Sequence, residues 1–319
     1  MKEPKVISIV TPSYNQGEYL EQTIRSVLSQ AGNFHIDYIV VDGGSGDESV
    51  EILHRFDDLL KAGKWNVLCQ GIRFRWMSEQ DKGQADAINK GFRMTAGEII
   101  GYLNSDDTYY PGTFEHVVHT IDPERGIYIA MGRCAYIDEK GIASGREHPS
   151  AFVSHARVVK IWKGHMIPQP AVFFHSSVYE TCGGMDETLY FALDYDLFLR
   201  YTREFRIHPV DALWATYRVH SDSKTREISQ GELLERSMPV SRRYWGPPSG
   251  LGYWRYFLSY LLHGGKAGVI SLKRLNLAER SFHEKNIPAF VWNAFLSFIL
   301  YPPTIFRYIM LPRLKHRRK

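Results

Sequence analysis

The sequence predicts an α/β protein: a mostly parallel β-sheet flanked by helices, followed by a helical, apolar C-terminal extension. Three observations predict it. Short β-branched runs alternate with helical patterns through the first half, Gly, Asp, Asn and Ser cluster where those runs end, and from Ser249 the chain turns aromatic and apolar. The expected division is one domain over residues 1–225 and an extension over 226–319.

The elements follow in order. Val6–Val10 reads as a buried first strand, and Glu18–Gln30 as an amphipathic helix with Leu20, Ile24, Val27 and Leu28 on its apolar face. Asp37–Val41 is the second strand. It ends on the loop Asp42-Gly-Gly-Ser-Gly-Asp47, and Asp47 and Glu48 then place negative charge at the start of a helix over Val50–Leu60, where the helix dipole favours it. Arg73–Met77 is the third strand and Ala85–Met94 the third helix. Gly97 breaks that helix, and Glu98–Leu103 forms a fourth strand ending on Asn104-Ser-Asp106-Asp107. Between 127 and 174 the periodicity weakens to short strands such as Ile127–Met131 and Ala171–Phe174, and Asp194–Tyr201 reads as helix.

Two apolar stretches close the chain, Tyr253–Leu262 and Ala289–Tyr301. The second carries only Asn293 and Ser297 as polar residues, four apart and so on one helix face. A helix of that length reaches about 20 Å against a hydrocarbon core of about 30 Å. With Pro302-Pro303 bending the chain before Thr304–Leu311, a membrane-surface or re-entrant element is expected in preference to a buried core helix or a true span.

The 319 residues are 44% hydrophobic and 23% charged with a net charge of +4, which excludes wholesale disorder and gives no electrostatic case for nucleic acid. After Glu284 no acid appears, whereas Arg307, Arg313, Lys315, Arg317, Arg318 and Lys319 crowd the end. Such a cluster suits an anionic surface such as a cytoplasmic leaflet; a solvated tail is the alternative. Cys69, Cys134 and Cys182 are odd in number and lack CxxC spacing, so neither a disulfide framework nor a zinc site is implied. The start, Met1-Lys-Glu-Pro-Lys, runs straight into a strand without a signal-peptide apolar region. A cytoplasmic protein, peripheral on the inner face of the cell membrane, is expected.

Chemistry concentrates at strand ends. Asp106 and Asp107 are adjacent carboxylates in a loop, and a divalent cation bridging to phosphate oxygens is a natural reason to hold two such repelling groups together. Alone, the pair reads equally as a helix cap or Asx turn. Three further loops occupy successive strand ends: Thr11-Pro-Ser-Tyr-Asn15, Asp42-Gly-Gly-Ser45, and Ser78-Glu-Gln-Asp81-Lys82-Gly83-Gln84. All would face the carboxyl edge of a parallel sheet, where open α/β sheets bind ligands.

These stretches, together with Ser26-Val-Leu-Ser-Gln30 and Leu103-Asn-Ser-Asp-Asp107, resemble family 2 glycosyltransferases over about residues 4–220. The resemblance implies a GT-A fold, a Rossmann-like nucleotide-diphospho-sugar transferase. It implies an enzyme that moves a sugar from a nucleotide-sugar donor, a UDP-hexose or UDP-N-acetylhexosamine, to a saccharide or lipid-linked acceptor with inversion, in surface polysaccharide assembly. By position, Tyr14 falls on the aromatic that stacks near the uracil, Thr11 among the nucleotide-sugar-binding residues, Asp42 on the loop facing base and ribose, and Asp81 with Lys82 along the diphosphate. Asp106 and Asp107 fall on the DxD-type motif that holds Mg²⁺ or Mn²⁺ and the ribose. Phe191-Ala-Leu-Asp194-Tyr-Asp196 resembles the segment carrying the catalytic base, which assigns Asp194 with Asp196 as competitor. Tyr217-Arg218-Val219-His220 resembles the family's Arg-x-His, whose His completes the metal shell or touches the diphosphate, so His220 is a further candidate metal ligand, with a structural histidine as the alternative. This chain departs from the pattern at Gly43, where many relatives carry a second acid, and at Leu193, where they carry Glu.

Other functions fit less well. A glycosidase would use two carboxylates but not the diphosphate-side loops. A nucleotidyltransferase or dinucleotide oxidoreductase needs a glycine-rich loop after the first strand, and Thr11-Pro-Ser-Tyr14 is not one. The Gln-x-x-Arg-Trp segment of processive synthases is missing, which implies one sugar per encounter. A non-catalytic sugar-nucleotide or membrane-docking module of the same fold is the remaining alternative.

Overall fold

The computed structural model describes residues 3–164, 166–221, 230–263 and 286–300, with 274, 277, 278, 280, 281 and 284. The chain divides into two units, Met1–Val158 with Met166–Ser221, and Val159–His165 with Asp222–Lys319. The sequence puts the boundary at 225/226, whereas the packing divides after Ser221 and gives 159–165 to the second unit. Trp162 is the reason: its ring meets those of Trp245 at 5.7 Å and Tyr260 at 5.6 Å, and the Ser241 hydroxyl donates to Val159 O at 2.7 Å.

In the first unit β1 (Lys5–Ser13), α1 (Gly17–Leu28), β2 (Phe34–Asp42), α2 (Ser49–Lys61), β3 (Gly71–Ser78), α3 (Gln84–Met94) and β4 (Ile99–Tyr102) follow the predicted alternation. Then come α4 (Thr113–Thr120), β5 (Ile129–Ile137), β6 (Ala143–His148), α5 (His155–Val158), β7 (Val172–His175), α6 (Ser176–Cys182), α7 (Leu193–Glu204) and β8 (Ile207–Arg218). The sheet runs β3-β2-β1-β4-β7-β5-β6, with β8 pairing β5. Strands β3, β2, β1 and β4 are mutually parallel, and β7 returns antiparallel to β4.

Burial explains these elements. Ile7, Ile9, Ile36, Tyr38 and Val40 of the two central strands pack with Leu20, Ile24, Val27 and Leu28 of α1 and Phe56 of α2 in one apolar core. On the opposite face, α3 lies so close to β1 that a Cβ on Gly91 would sit 2.2 Å from Val10 Cγ1. Only glycine permits that approach. Parallel strands buried on both faces are expected to be largely apolar, and β1 and β2 are buried almost throughout, with Ser8 donating to Asp37 Oδ2 at 2.7 Å where polar groups enter the core.

The second unit includes α8 (Gln230–Arg242), α9 (Leu251–His263) and α10 (Ile287–Leu300). Asn293, the polar residue within the apolar stretch, donates to Ala289 O at 2.9 Å and accepts from Arg274 at 3.1 Å. Large apolar side chains stay exposed on α9 at Leu251, Trp254 and Leu258, and on α10 at Ile287, Val291, Trp292 and Phe295. Among the described residues no helix is long and apolar enough to cross a membrane. The Thr304–Leu311 segment and the terminal basic cluster lie outside the described residues.

Candidate active site

The loops after β1, β2, β3 and β4 meet at the carboxyl edge of the parallel strands and are stitched to one another. Gly43 N donates to Ser13 O at 2.8 Å and Glu79 N to Asp42 O at 3.1 Å. Asn15 takes a left-handed turn (φ 51°), with its N–H donating to Ser45 Oγ at 2.8 Å and its Oδ1 accepting from Gly46 N at 2.9 Å. The Gly17 amide donates to Asp47 Oδ2 at 2.8 Å. This turn projects Tyr14 outward, 61% exposed.

Two of the residues assigned to the donor are buried beneath these loops. Thr11 is fully buried in β1, where its hydroxyl accepts from Tyr38 OH at 3.1 Å. It supports the loop from beneath. Asp42 is likewise fully buried, its Oδ2 accepting from Gly44 N, Ser45 N and Ser78 Oγ at 3.1, 2.9 and 2.7 Å and its Oδ1 from Ser45 Oγ at 2.5 Å. A carboxylate so bonded holds the shape of its loop. Lys82 is exposed, its amide donating to Asp86 Oδ2 at 3.1 Å.

The Asp106–Asp107 loop is held from several sides. The Thr23 hydroxyl on α1 lies 2.8 Å from both Ser105 O and Asp107 O. Arg218, at the end of β8, is buried: its amide donates to Asp107 Oδ1 at 2.8 Å, its Nε to Asp106 O at 2.8 Å, and its Nη atoms to Gln22 Oε1, Asp138 O and Glu139 O. Its guanidinium also lies 4.9 Å from the Tyr19 ring centre. Sequence reasoning assigned this arginine no role of its own. The available signal was an arginine two residues before His220, at a strand end.

His220 reaches the same loop, its Nε2 lying 2.9 Å from Asp106 Oδ2 and its ring 4.8 Å from that of Tyr19. The structure therefore pairs His220 with Asp106, and that ring nitrogen is engaged by the carboxylate. Asp107 differs from its neighbour. Its Oδ2 is buried with no hydrogen-bond partner, and burial followed by the Asp106 charge pushes its pKa well above the usual carboxylate range. An orphaned carboxylate oxygen beside a second carboxylate fits a hard divalent cation. Among the described residues no three His, Cys, Asp or Glu side chains gather to cage a metal. One or two carboxylates completed by substrate phosphates is the ordinary way of holding Mg²⁺.

Across the site, α7 begins after Ala192, which is left-handed (φ 61°). Asp194 is partly exposed at this end, with its Oδ1 accepting from Tyr195 N at 2.8 Å. Asp196 is buried and bonded to Arg200 Nε at 3.0 Å. That arginine in turn holds the carbonyls of Cys182, Gly183 and Gly184. Asp196 therefore serves the turn before the helix, whereas Asp194 is partly exposed at the helix start. Burial above all raises the Tyr102 phenol far above its ordinary range. An amide chain runs beside it: Gln84 Nε2 donates to Asn104 Oδ1, Asn104 Nδ2 to Gln169 Oε1 and Gln169 Nε2 to Tyr102 O, at 2.9, 3.3 and 2.7 Å.

Known proteins share this architecture. S. aureus TarS 1-349 in complex with UDP-GlcNAc superposes with a TM-score of 0.55 at 13% identity, covering 90% of each chain. A mannosyltransferase from Pyrobaculum calidifontis, in complex with GDP-Man and Mn²⁺, gives 0.54 at 13% identity, covering 96% of this chain and 89% of the other. The fold is thus GT-A. An uncharacterized glycosyltransferase of Rickettsia conorii is 27% identical over 235 residues, 70% of this chain but 36% of that protein, so the chain spans about a third of that relative's length. One from Mycobacterium tuberculosis is 28% identical over 206 residues, 63% of this chain and 70% of its own. The family model for glycosyl transferase family 2 matches residues 8–182, more than half of the sequence, and the chain belongs to that family.

Proposed function

We infer that this chain transfers a sugar from a nucleotide-sugar, a UDP-hexose or UDP-N-acetylhexosamine, to a hydroxyl of a saccharide or lipid-linked acceptor, with inversion, in surface polysaccharide assembly. The observation that carries the reading is the Asp106–Asp107 loop at the carboxyl edge of the parallel strands, pinned by Arg218 and Thr23 and holding Asp107 Oδ2 buried without a hydrogen-bond partner among the described residues. The TarS and mannosyltransferase complexes, which hold UDP-GlcNAc and GDP-Man, support the choice of donor class.

Asp107, with Asp106 beside it, would hold Mg²⁺ or Mn²⁺. Such an ion supplies charge neutralisation at the leaving diphosphate. The chain's own residues do the rest. Arg218 and Thr23 fix the aspartate loop, Tyr14 offers a platform to the base, and Asp194 takes the proton of the acceptor hydroxyl as it attacks the anomeric carbon. Attack from the side opposite the diphosphate inverts that centre. The test is a screen of nucleotide-sugars for hydrolysis and transfer with and without Mn²⁺, followed by anomeric assignment of the product. Mn²⁺-dependent release of UDP with an inverted product is expected; no release from any UDP-hexose in the presence of membrane acceptor extracts would leave a non-catalytic module.

The exposed apolar residues of α9 and α10 support a further reading, docking on the inner face of the cell membrane. Deleting the chain after Pro288 should release the protein from vesicles containing anionic lipid; unchanged sedimentation with those vesicles refutes the anchor.

A further inference from the structure

Tyr14, Gly43 and Asp81 converge on one point of the donor edge. A Cβ built on Gly43 would lie 2.7 Å from Asp81 Oδ2 and 3.3 Å from Tyr14 Cδ2. The absence of a side chain at 43 therefore leaves a floor flanked by an exposed aromatic ring and a carboxylate. Asp81 is oriented by its other oxygen, Oδ1, which accepts from Gly83 N at 2.7 Å, and among the described residues Oδ2 has no hydrogen-bond partner.

The neighbouring acids are committed elsewhere. Lys90 holds Glu79 at 2.8 Å and Asp86 at 3.3 Å. The Asp42 carboxylate is bonded within its own loop and to Ser78. Of these carboxylates, Asp81 alone turns an open oxygen toward the exposed Tyr14 ring. A planar heterocycle stacked on such a ring gains about 1–3 kcal/mol. Lying there, it presents its edge to Asp81.

Resting on the donor reading above, we propose that Asp81 selects the base of the nucleotide-sugar by accepting its ring N–H. An ionised carboxylate can only accept. Uracil offers N3–H and guanine N1–H at the middle of that edge, whereas cytosine and adenine offer a bare ring nitrogen whose lone pair faces the carboxylate. This places Asp81 on the base side of the site, where the resemblance implied the diphosphate side.

Binding of UDP, GDP, CDP and ADP to the full chain with Mn²⁺ tests it, using wild type, Asp81→Ala, Asp81→Asn and Gly43→Ala, with thermal melts to confirm folding. The wild type should bind UDP or GDP at least about tenfold more tightly than CDP and ADP, a modest ratio for a site only partly closed from water. Asp81→Ala should reduce that preference to within about threefold by weakening the favoured nucleotide. Asp81→Asn, whose amide also donates, should strengthen CDP and ADP, and Gly43→Ala, which crowds the carboxylate, should mimic the alanine variant. An unchanged preference in Asp81→Ala, or an equal change for all four nucleotides as a diphosphate-side role demands, overturns the proposal. If the wild type binds none of the four, the donor reading itself fails and this inference with it.

Discussion

The two sides of the site are built differently. On the donor side the loops after β1 to β4 are cross-braced by amide, hydroxyl and carboxylate bonds, and buried residues such as Asp42 and Arg218 act as internal pins. Around the start of α7, where the proposed reading puts the acceptor, a left-handed alanine leads into the helix and Tyr190 is 78% exposed. On the proposed reading, recognition of one repeated diphosphate geometry suits a rigid edge, whereas the acceptor region keeps its ordered element one step back, in the Asp196–Arg200 pair.

The sharpest way to break this comparison is to separate the two aspartates. Asp107→Ala should abolish Mn²⁺-dependent UDP binding. Asp194→Asn should keep UDP affinity within about threefold while transfer falls by about 10²–10⁴-fold, the usual contribution of a general base. Equal loss of UDP affinity in both variants, read by calorimetry, would merge the two sides into one.

Next in size is the support behind α7. Asp196→Asn leaves Arg200 without its carboxylate and should lower stability by about 2–3 kcal/mol, less than the roughly 3–5 kcal/mol of a fully buried pair because Arg200 is partly exposed. Ala192→Gly should instead be neutral or stabilising by up to about 1 kcal/mol, since it relieves a left-handed alanine at the cost of a freer unfolded chain. Denaturant melts of both, beside Asp194→Asn at wild-type stability, show whether support and chemistry are distinct there.

The smallest effect concerns the helices behind the donor loops. Glu21 on α1 is held below the ordinary glutamate range by its hydrogen bond to Arg25 and its pairing with Arg55 of α2. Its contribution is therefore present above the unfolded-state pKa and lost as pH falls through the lower folded value. Glu21→Gln should cost about 0.5 kcal/mol or less at neutral pH, the pair being screened by solvent, and nothing once the glutamate is protonated. A difference between the two proteins that does not shrink as pH falls below the ordinary glutamate range would contradict this origin.

Much of the fold was legible because β1 to β4 and α1 to α3 bury continuous or periodic apolar faces. β8 was missed: Pro209 and Asp211 interrupt its pattern, and its pairing with β5 is long-range. β6 was missed because its edge residues are exposed and carry no apolar alternation. At the site, sequence placed loops correctly but not the direction of side chains. Thr11 and Asp42 stand at the right strand ends yet turn inward, because which side of a strand end is buried depends on neighbours distant in sequence, Tyr38 and Ser78. Arg218 was invisible as a pin for the same reason, its partners Gln22 and Asp138 being fixed by the sheet.

Because one guanidinium gathers the Asp106–Asp107 loop, α1 and the turn after β5, that loop cannot open alone. Its exchange with solvent is tied to a larger cooperative unit, so the amide that Arg218 donates to Asp107 should be among the slowest to take up deuterium, while the Tyr14 and Ala192 turns exchange through local opening.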